Sequence, residues 1–204
     1  LGALTGIDIS GEKRGLLPTP AWKRQAFSRP ADQVWFPGET VIFGIGQGYL
    51  LATPLQMAHA AAIIASRGKS YQPRLVTALR DPVTNETRKL EPKLIEQVEI
   101  AQPDAWDVAI GGMVKVMNGG TASRSQAGAK YQIAGKTGTA QVFSVAQNAK
   151  YDESKIDERL RDHAWFIAFA PADAPKIAVA IMVENGRSGS GTAAPIARRV
   201  IDTY

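Results

Sequence analysis

The stretch AGKTGTAQV, residues 134–142, contains the residue types best suited to chemistry, a lysine and two threonines between glycines in otherwise apolar sequence. Lys136 could attract an anion through its charge, and the hydroxyls of Thr137 and Thr139 are short hydrogen-bond donors. Gly138 has no side chain that would obstruct a ligand. Together these residues suit the binding of a carboxylate.

A phosphate-binding loop also ends in Gly-Lys-Thr, but this stretch does not fit that motif. The motif requires a glycine at position 130, where the sequence has Lys130, and a helix directly after the lysine and threonine. Here TAQVF follows, which is typical of a strand. Two interpretations therefore remain open from the residues alone: an anion-binding strand edge, or an edge lysine that guards against aggregation.

The elements around this strand predict a small antiparallel sheet. HAWFIAFA and IAVAIMVEN, joined by a turn in PADAPK, form a hairpin that is apolar on both faces, and TAAPIARRVIDTY closes the chain as a helix. If neighbouring strands pair in order, the KTGT strand lies at an edge, where an extended peptide could add as a further strand. Alternation places Lys136 and Gly138 on one face and Thr137 and Thr139 on the other.

Two helices are predicted earlier in the chain. TPLQMAHAAAIIASRG has Thr53 as its N-cap, Pro54 in its first turn and Gln56 completing a capping box, and we expect it to be a buried core helix. PDAWDVAIGGMVKVMNGG is the second. Short loops and elements are expected over residues 1–40, and the polar segment 144–162 should be a solvated loop or short helix.

The composition excludes several kinds of site. The 204 residues include no cysteine, so neither a disulfide nor a thiolate metal site is possible. His59 and His163 lie far apart, and we expect no metal and no cofactor. The net charge of +5 comes from scattered basic residues, which does not favour nucleic-acid binding.

With its surroundings, KTGT resembles the Lys-Thr/Ser-Gly box of penicillin-binding proteins and serine β-lactamases. Five segments of the chain resemble, in order, the transpeptidase domain of class B penicillin-binding proteins. They are TGIDISGEKRGLLP, FGIGQGYLLATPLQMAHAAAIIASRGK, MVKVMNGGTASR, AGKTGTAQV and DHAWFIAFAPADAPKIAVAIMVENG. The joint DERLRDHAWFIAFAPAD is most similar to the elongation-type penicillin-binding protein 2. The resemblance covers essentially the whole chain.

The resemblance implies an α+β fold, with an antiparallel sheet covered by helices. It also implies that residues 1–204 are the C-terminal portion of one domain, with a loop-rich and helical part over 1–130 and the KTG strand, hairpin and closing helix over 131–204. The family's nucleophilic serine, in an S-x-x-K motif, and its S-x-N motif would precede this portion. The S-x-x-K strings that begin at Ser10 and Ser66 contain glycine and look like decoys. We therefore expect the chain to be inactive alone.

The resemblance further implies roles for the residues of the strand. Lys136 and the hydroxyls of Thr137 and Thr139 would bind the substrate carboxylate, and Gln141 would also contact substrate. The backbone N–H of Thr139 would be one of two oxyanion-hole donors, while Gly138 would keep the cleft open.

The implied function is that of a serine-type D-Ala-D-Ala transpeptidase, which cross-links peptidoglycan stem peptides by acyl transfer and is a target of β-lactams. The implied location is the periplasmic face of the bacterial inner membrane, with an upstream anchor and a membrane glycosyltransferase of the RodA type as partner. The alternatives are a septal transpeptidase, a D,D-carboxypeptidase of the same superfamily, and a non-catalytic β-lactam-binding sensor or degenerate structural module.

Overall fold

The computed structural model describes residues 1–142 and 156–204, and its centre is a three-stranded antiparallel sheet in the order β5-β6-β7. The strands are β5 (Ala134–Ala140), β6 (His163–Ala170) and β7 (Ile177–Val183). This is the predicted hairpin with the KTGT strand at one edge, and the predicted α+β class is confirmed.

Helices cover both faces of this sheet, because β6 is apolar on both sides. Alternate residues over 164–170 pack with Ala197 and Ile201 of the C-terminal helix. Phe169 points to the other face and lies in a cluster with Ile64 and other residues of two earlier helices. The six α-helices of the described residues are α1 (Pro20–Ala26), α2 (Pro37–Gly44), α3 (Pro54–Ala65), α4 (Ala105–Met117), α5 (Ser123–Gln126) and α6 (Ala194–Thr203).

Helix α3 begins as its sequence predicts. The Thr53 hydroxyl accepts a hydrogen bond from the N–H of Gln56, and the Gln56 side chain accepts one from the N–H of Thr53. The prediction of a buried core helix is wrong, however, since only Gln56 and Ala61 of the helix are buried. One side of α3 packs on β6 and β7, whereas the apolar residues on its other sides are half-buried in this chain.

The segment from Thr19 to Tyr49, here called the aromatic lobe, is organised around a buried lysine. Lys23 is 4% exposed, and its Nζ donates to Glu39 Oε1 at 2.5 Å and to the carbonyl of Val34 at 2.7 Å. Burial raises the pKa of Glu39, but hydrogen bonds from Lys23 and a backbone N–H outweigh it and hold the pKa below its ordinary value. This ion pair joins α1 to α2.

The first 17 residues form an N-terminal strap that lies across later elements. Asp8 Oδ1 accepts a hydrogen bond from the N–H of Leu75 at 2.6 Å. Leu16 and Leu51 pair as an isolated antiparallel bridge, with N···O distances of 2.8 and 3.0 Å. The strap therefore contacts the chain at Leu51, just before α3, and at Leu75, shortly after the strand Lys69–Tyr71.

Four short strands form two small exposed sheets outside the central one, β1 with β4 and β2 with β3. They are β1 (Lys69–Tyr71), β2 (Ala78–Arg80), β3 (Thr87–Lys89) and β4 (Leu94–Gln97). Most of the predicted polar loop over 144–162 lies outside the described residues, and its end forms a 3-10 turn at Glu158–Leu160. Within the described ranges, no helix has both the length and the apolar character needed to cross a membrane.

Candidate active site

The edge of β5 is closed at its start and open over the rest. Ala134 and Gly135 are buried, and Met113 and Met117 of α4 belong to apolar clusters on the two faces of the sheet beside them. A Cβ at Gly135 would lie 2.5 Å from a ring carbon of Phe166, so glycine is required for this packing. From Lys136 onward the strand is partly or fully exposed.

Two carbonyl groups of β5 point away from the sheet, and each accepts a hydrogen bond from a side chain. Lys136 Nζ donates to the Thr137 carbonyl at 2.5 Å, and Gln47 Nε2 donates to the Thr139 carbonyl at 2.8 Å. In an antiparallel strand the N–H and C=O of one residue face the same side. The backbone N–H of Thr139 therefore also faces the open edge.

The register of β5 on β6 fixes the faces of the side chains. Thr137 pairs with Phe166 and Thr139 with Ala164, on the face covered by α6. The Lys136 side chain starts from the opposite face, but its amine reaches the edge at the Thr137 carbonyl. The cation thus lies at the edge of the strand beside Thr137, although its side chain starts from the face opposite the threonine hydroxyls.

A threonine from the turn after α4 joins this group. Thr121 Oγ1 lies 3.3 Å from Thr137 Oγ1, so that the two hydroxyls form a pair beside the open edge. The turn contains Gly119 and Gly120, and a Cβ at Gly120 would lie 2.6 Å from the Lys115 carbonyl oxygen. The glycines that end α4 therefore also allow the close turn that brings Thr121 to the strand.

The glycine-rich segment after β7 packs directly on the backbone of the sheet at Gly138. A Cβ at Gly189 would lie 2.4 Å from the Trp165 carbonyl oxygen and 2.7 Å from that of Gly138. The segment forms one π-helical turn over Gly189–Ala193 that leads into α6. It packs against the backbone in the middle of the KTGT strand and so supports that strand.

Gln47 is presented to the strand by the turn that follows α2. The backbone at Gly46 and Gly48 has φ values of +78° and +74°, which favour glycine, and the N–H of Gln47 donates to the carbonyl of Ile42 at 3.1 Å. The alternating glycines of FGIGQGYL therefore shape a turn that aims the Gln47 amide at Thr139. The aromatic lobe is thereby joined to the edge of the sheet.

Lys136, Thr137, Gly138 and Thr139 all lie on β5, whereas Gln141 lies just beyond the end of the strand and is exposed. Sequence reasoning missed the positions of two neighbours of the strand, Gln47 and Thr121. The only signal for them was that each lies in a glycine-rich turn.

The two histidines and the S-x-x-K serine on α3 have structural contacts. His59 Nε2 lies 3.4 Å from the Ser70 hydroxyl, and His163 Nδ1 accepts from the N–H of Asn185 at 2.9 Å. The Ser66 hydroxyl lies 2.8 Å from the carbonyl oxygens of Ala62 and Lys69 at the end of α3. Among residues 1–142 and 156–204 there is no cluster of three or more potential metal ligands.

The arrangement can bind an extended, anionic ligand along β5. The Lys136 amine and the hydroxyls of Thr137 and Thr121 are suited to a carboxylate, and the N–H of Thr139, which faces the open edge, can donate to a carbonyl oxygen. Because this N–H lies on a strand that is supported from behind, it would not need to reorganise when a negative charge develops on that oxygen.

Comparisons with known proteins show which family the chain resembles. Residues 1–202 match the family described as the penicillin binding protein transpeptidase domain. The peptidoglycan D,D-transpeptidase MrdA of Haemophilus influenzae is 42% identical over 205 residues, and the match covers all of this chain and 31% of that protein.

Solved structures show the same similarity. The Pseudomonas aeruginosa PBP2 in complex with WCK 5153 is 41% identical with a TM-score of 0.76, over 96% of this chain and 39% of that one. The penicillin G acyl-enzyme complex of penicillin-binding protein A from M. tuberculosis is 35% identical with a TM-score of 0.60, over 79% and 34% of the two chains. The chain thus spans about a third of the relatives it matches.

Proposed function

The chain belongs to the penicillin-binding protein transpeptidase domain family, and we propose that it supplies the substrate-binding strand of a serine-type peptidoglycan D,D-transpeptidase. The observation that carries this proposal is the open edge of β5, where the Lys136 amine, the Thr137 hydroxyl and the outward-facing N–H of Thr139 lie in sequence. These groups match a peptide that ends in a free carboxylate and is cleaved one residue earlier.

The Lys136 amine and the hydroxyls of Thr137 and Thr121 bind the carboxylate of the substrate. A stem peptide that lies along β5 as an added strand directs its terminal carboxylate toward the Lys136 amine and the pair formed by Thr137 and Thr121. Thr139 and Gln141 extend the same surface toward the end of the strand. The carboxylate of a β-lactam takes the same position.

The oxyanion that forms during acyl transfer is stabilised by the N–H of Thr139. When a serine attacks the carbonyl of the penultimate D-Ala, the carbonyl oxygen gains negative charge and accepts a hydrogen bond from this N–H. One such donor is typically worth about 10²–10³ in rate. Gly138 keeps the approach to this oxygen free of side-chain atoms.

The serine nucleophile and its lysine base come from residues of the protein other than these 204. The S-x-N tripeptide does not occur in the 204 residues. Ser66 serves instead as a helix C-cap whose hydroxyl is occupied by backbone carbonyls. We refer to the complete product of the gene that encodes these residues as the parent protein, and the activity belongs to it.

In the cell, the parent protein acts in cell-wall elongation at the periplasmic face of the bacterial inner membrane, together with a glycosyltransferase of the RodA type. This placement is supported by the similarity to MrdA and PBP2 proteins. β-Lactams inhibit it by acylating the same serine.

The test compares Lys136→Ala with Thr137→Ser in the parent protein. Serine keeps a hydroxyl at 137, so its acylation rate should stay close to that of wild type. Alanine removes the charge-assisted contact, worth about 1.5–3 kcal/mol, and should slow acylation by penicillin at least about tenfold. The measurement is the second-order rate of labelling by a fluorescent penicillin.

Lys130→Ala is the matched control, because Lys130 is an exposed lysine shortly before the same strand. It should acylate like wild type, and thermal melts check that all three variants are folded. If Lys136→Ala acylates as fast as wild type, the lysine is an edge guard and the proposed role is wrong.

A further inference from the structure

The hydrogen bond from Gln47 to the edge of β5 occupies a group that an incoming strand needs. Gln47 Nε2 lies 2.8 Å from the Thr139 carbonyl oxygen, across 92 positions of sequence. Both residues lie in partly open surroundings, so the bond is accessible to a competing ligand. The bond occupies the carbonyl of Thr139, whereas within the part of the chain that the structure describes the N–H of Thr139 has no partner at the open edge.

When another strand pairs with β5, it uses the backbone N–H and the carbonyl of Thr139 together. In a hydrogen-bonded antiparallel pair, one residue exchanges both N–H···O bonds with its partner. A peptide residue whose carbonyl accepts from the N–H of Thr139 therefore directs its own N–H at the Thr139 carbonyl. That is the position where the Gln47 amide already donates.

We propose that Gln47 is a specificity-determining residue that competes with the substrate's backbone N–H for the Thr139 carbonyl and must be displaced when a ligand pairs with the strand. The inference rests on the proposed function of the strand. It implies that the site distinguishes two kinds of ligand. A ligand with an amide N–H next to the reactive carbonyl can replace the Gln47 amide at the Thr139 carbonyl, whereas a ligand without one leaves the Gln47 amide in place.

The turn that carries Gln47 allows this exchange. Its backbone is fixed by the bond to Ile42 and by the two positive-φ glycines. Within the described residues, the Gln47 side chain makes one hydrogen bond, to Thr139. Displacement therefore requires only a side-chain rotation. The free carboxamide can then return when the ligand leaves.

The experiment measures acylation of the parent protein by two probes, penicillin G and penicillanic acid. Penicillin G carries an acylamino N–H beside its β-lactam carbonyl, whereas penicillanic acid has the same ring system without that group. In Gln47→Ala the carbonyl is free, so the penicillin G rate should rise about two- to tenfold, the range expected for one neutral hydrogen bond. The penicillanic acid rate should change less than about twofold.

Gln47→Met repeats the test with a side chain of similar length and no donor, and thermal melts check the fold of both variants. Gln97→Ala is the matched control, because Gln97 Nε2 makes the same kind of bond to a backbone carbonyl, that of Arg67, at 3.1 Å. It should leave both rates unchanged.

The outcomes separate the two proposals. If the ratio of the penicillin G rate to the penicillanic acid rate fails to rise in both Gln47 variants, or rises equally in Gln97→Ala, the competition does not exist. If the wild-type parent protein is acylated by neither probe, the proposed function itself is wrong.

Discussion

Replacing Gly189 by alanine tests whether the glycine-rich segment supports the catalytic strand. The new Cβ would lie 2.4 Å from the Trp165 carbonyl oxygen, about 1 Å short of the ordinary contact distance of 3.4 Å. The obstructing atoms belong to the backbone of paired strands, so they cannot rotate away. Either the segment lifts from the sheet or β5 shifts at Gly138.

Both responses have a measurable size. Overpacking of this kind costs about 1–3 kcal/mol, and we expect about 3 kcal/mol because backbone atoms must move. For a domain of this size that corresponds to a fall in melting temperature of about 6–12 °C. A displacement of about 1 Å at reacting groups can cost about 10²-fold in rate, so penicillin acylation of the parent protein should fall toward that extent.

Gly191→Ala is the control within the same turn. Its new Cβ would first meet the Ser188 side chain at 3.2 Å, and a side chain can adjust. This variant should melt and acylate nearly like wild type. If Gly189→Ala melts within about 2 °C of wild type and acylates at the wild-type rate, the segment is not the support inferred from its packing.

The remaining predictions concern stability, measured by thermal or urea unfolding. Glu39→Gln leaves Lys23 buried without its ion pair and should cost about 3 kcal/mol. Because the pKa of Glu39 lies below its ordinary 4.5 in the fold, its contribution is present above pH 4.5 and lost as the pH falls through the folded-state pKa, and the variant should lose less stability than wild type on acidification. Gly112→Ala, at an exposed helical site where the new Cβ meets nothing within 4 Å beyond its chain neighbours and the backbone of its own helix, should stabilise α4 by about 0.5–1 kcal/mol. Gly120→Ala should instead destabilise the protein, because the new Cβ would lie 2.6 Å from the Lys115 carbonyl oxygen.

The central sheet could be predicted from sequence because its signals are local. The two apolar runs are separated by a proline-containing turn, and the hairpin they form leaves the KTGT strand at the edge. The Thr53 capping box likewise marked the start of α3 to the residue. Each of these signals lies within a few positions of the element that it defines.

The surroundings of the strand could not be predicted in the same way. The contacts of Gln47 and Gly189 with β5 depend on turns whose direction is set by positive φ values and by backbone packing, and neither leaves a periodic pattern. The error about α3 has a related cause. Its apolar composition indicates a capacity for burial, but which of its faces is covered depends on elements distant in sequence.

The long-range bonds of the N-terminal strap and of the aromatic lobe have a consequence for the order of folding. The β6–β7 hairpin closes over a short connection, whereas the bond from the Leu75 N–H to Asp8 spans 67 positions and that from Gln47 to Thr139 spans 92. Loop closure costs only about 0.6 kcal/mol more for each doubling of length, so these links are affordable at equilibrium, but non-local contacts form slowly. The sheet should therefore form first and the contacts around its edge last, which leaves the Thr139 carbonyl without its Gln47 partner in a newly made chain until the aromatic lobe docks.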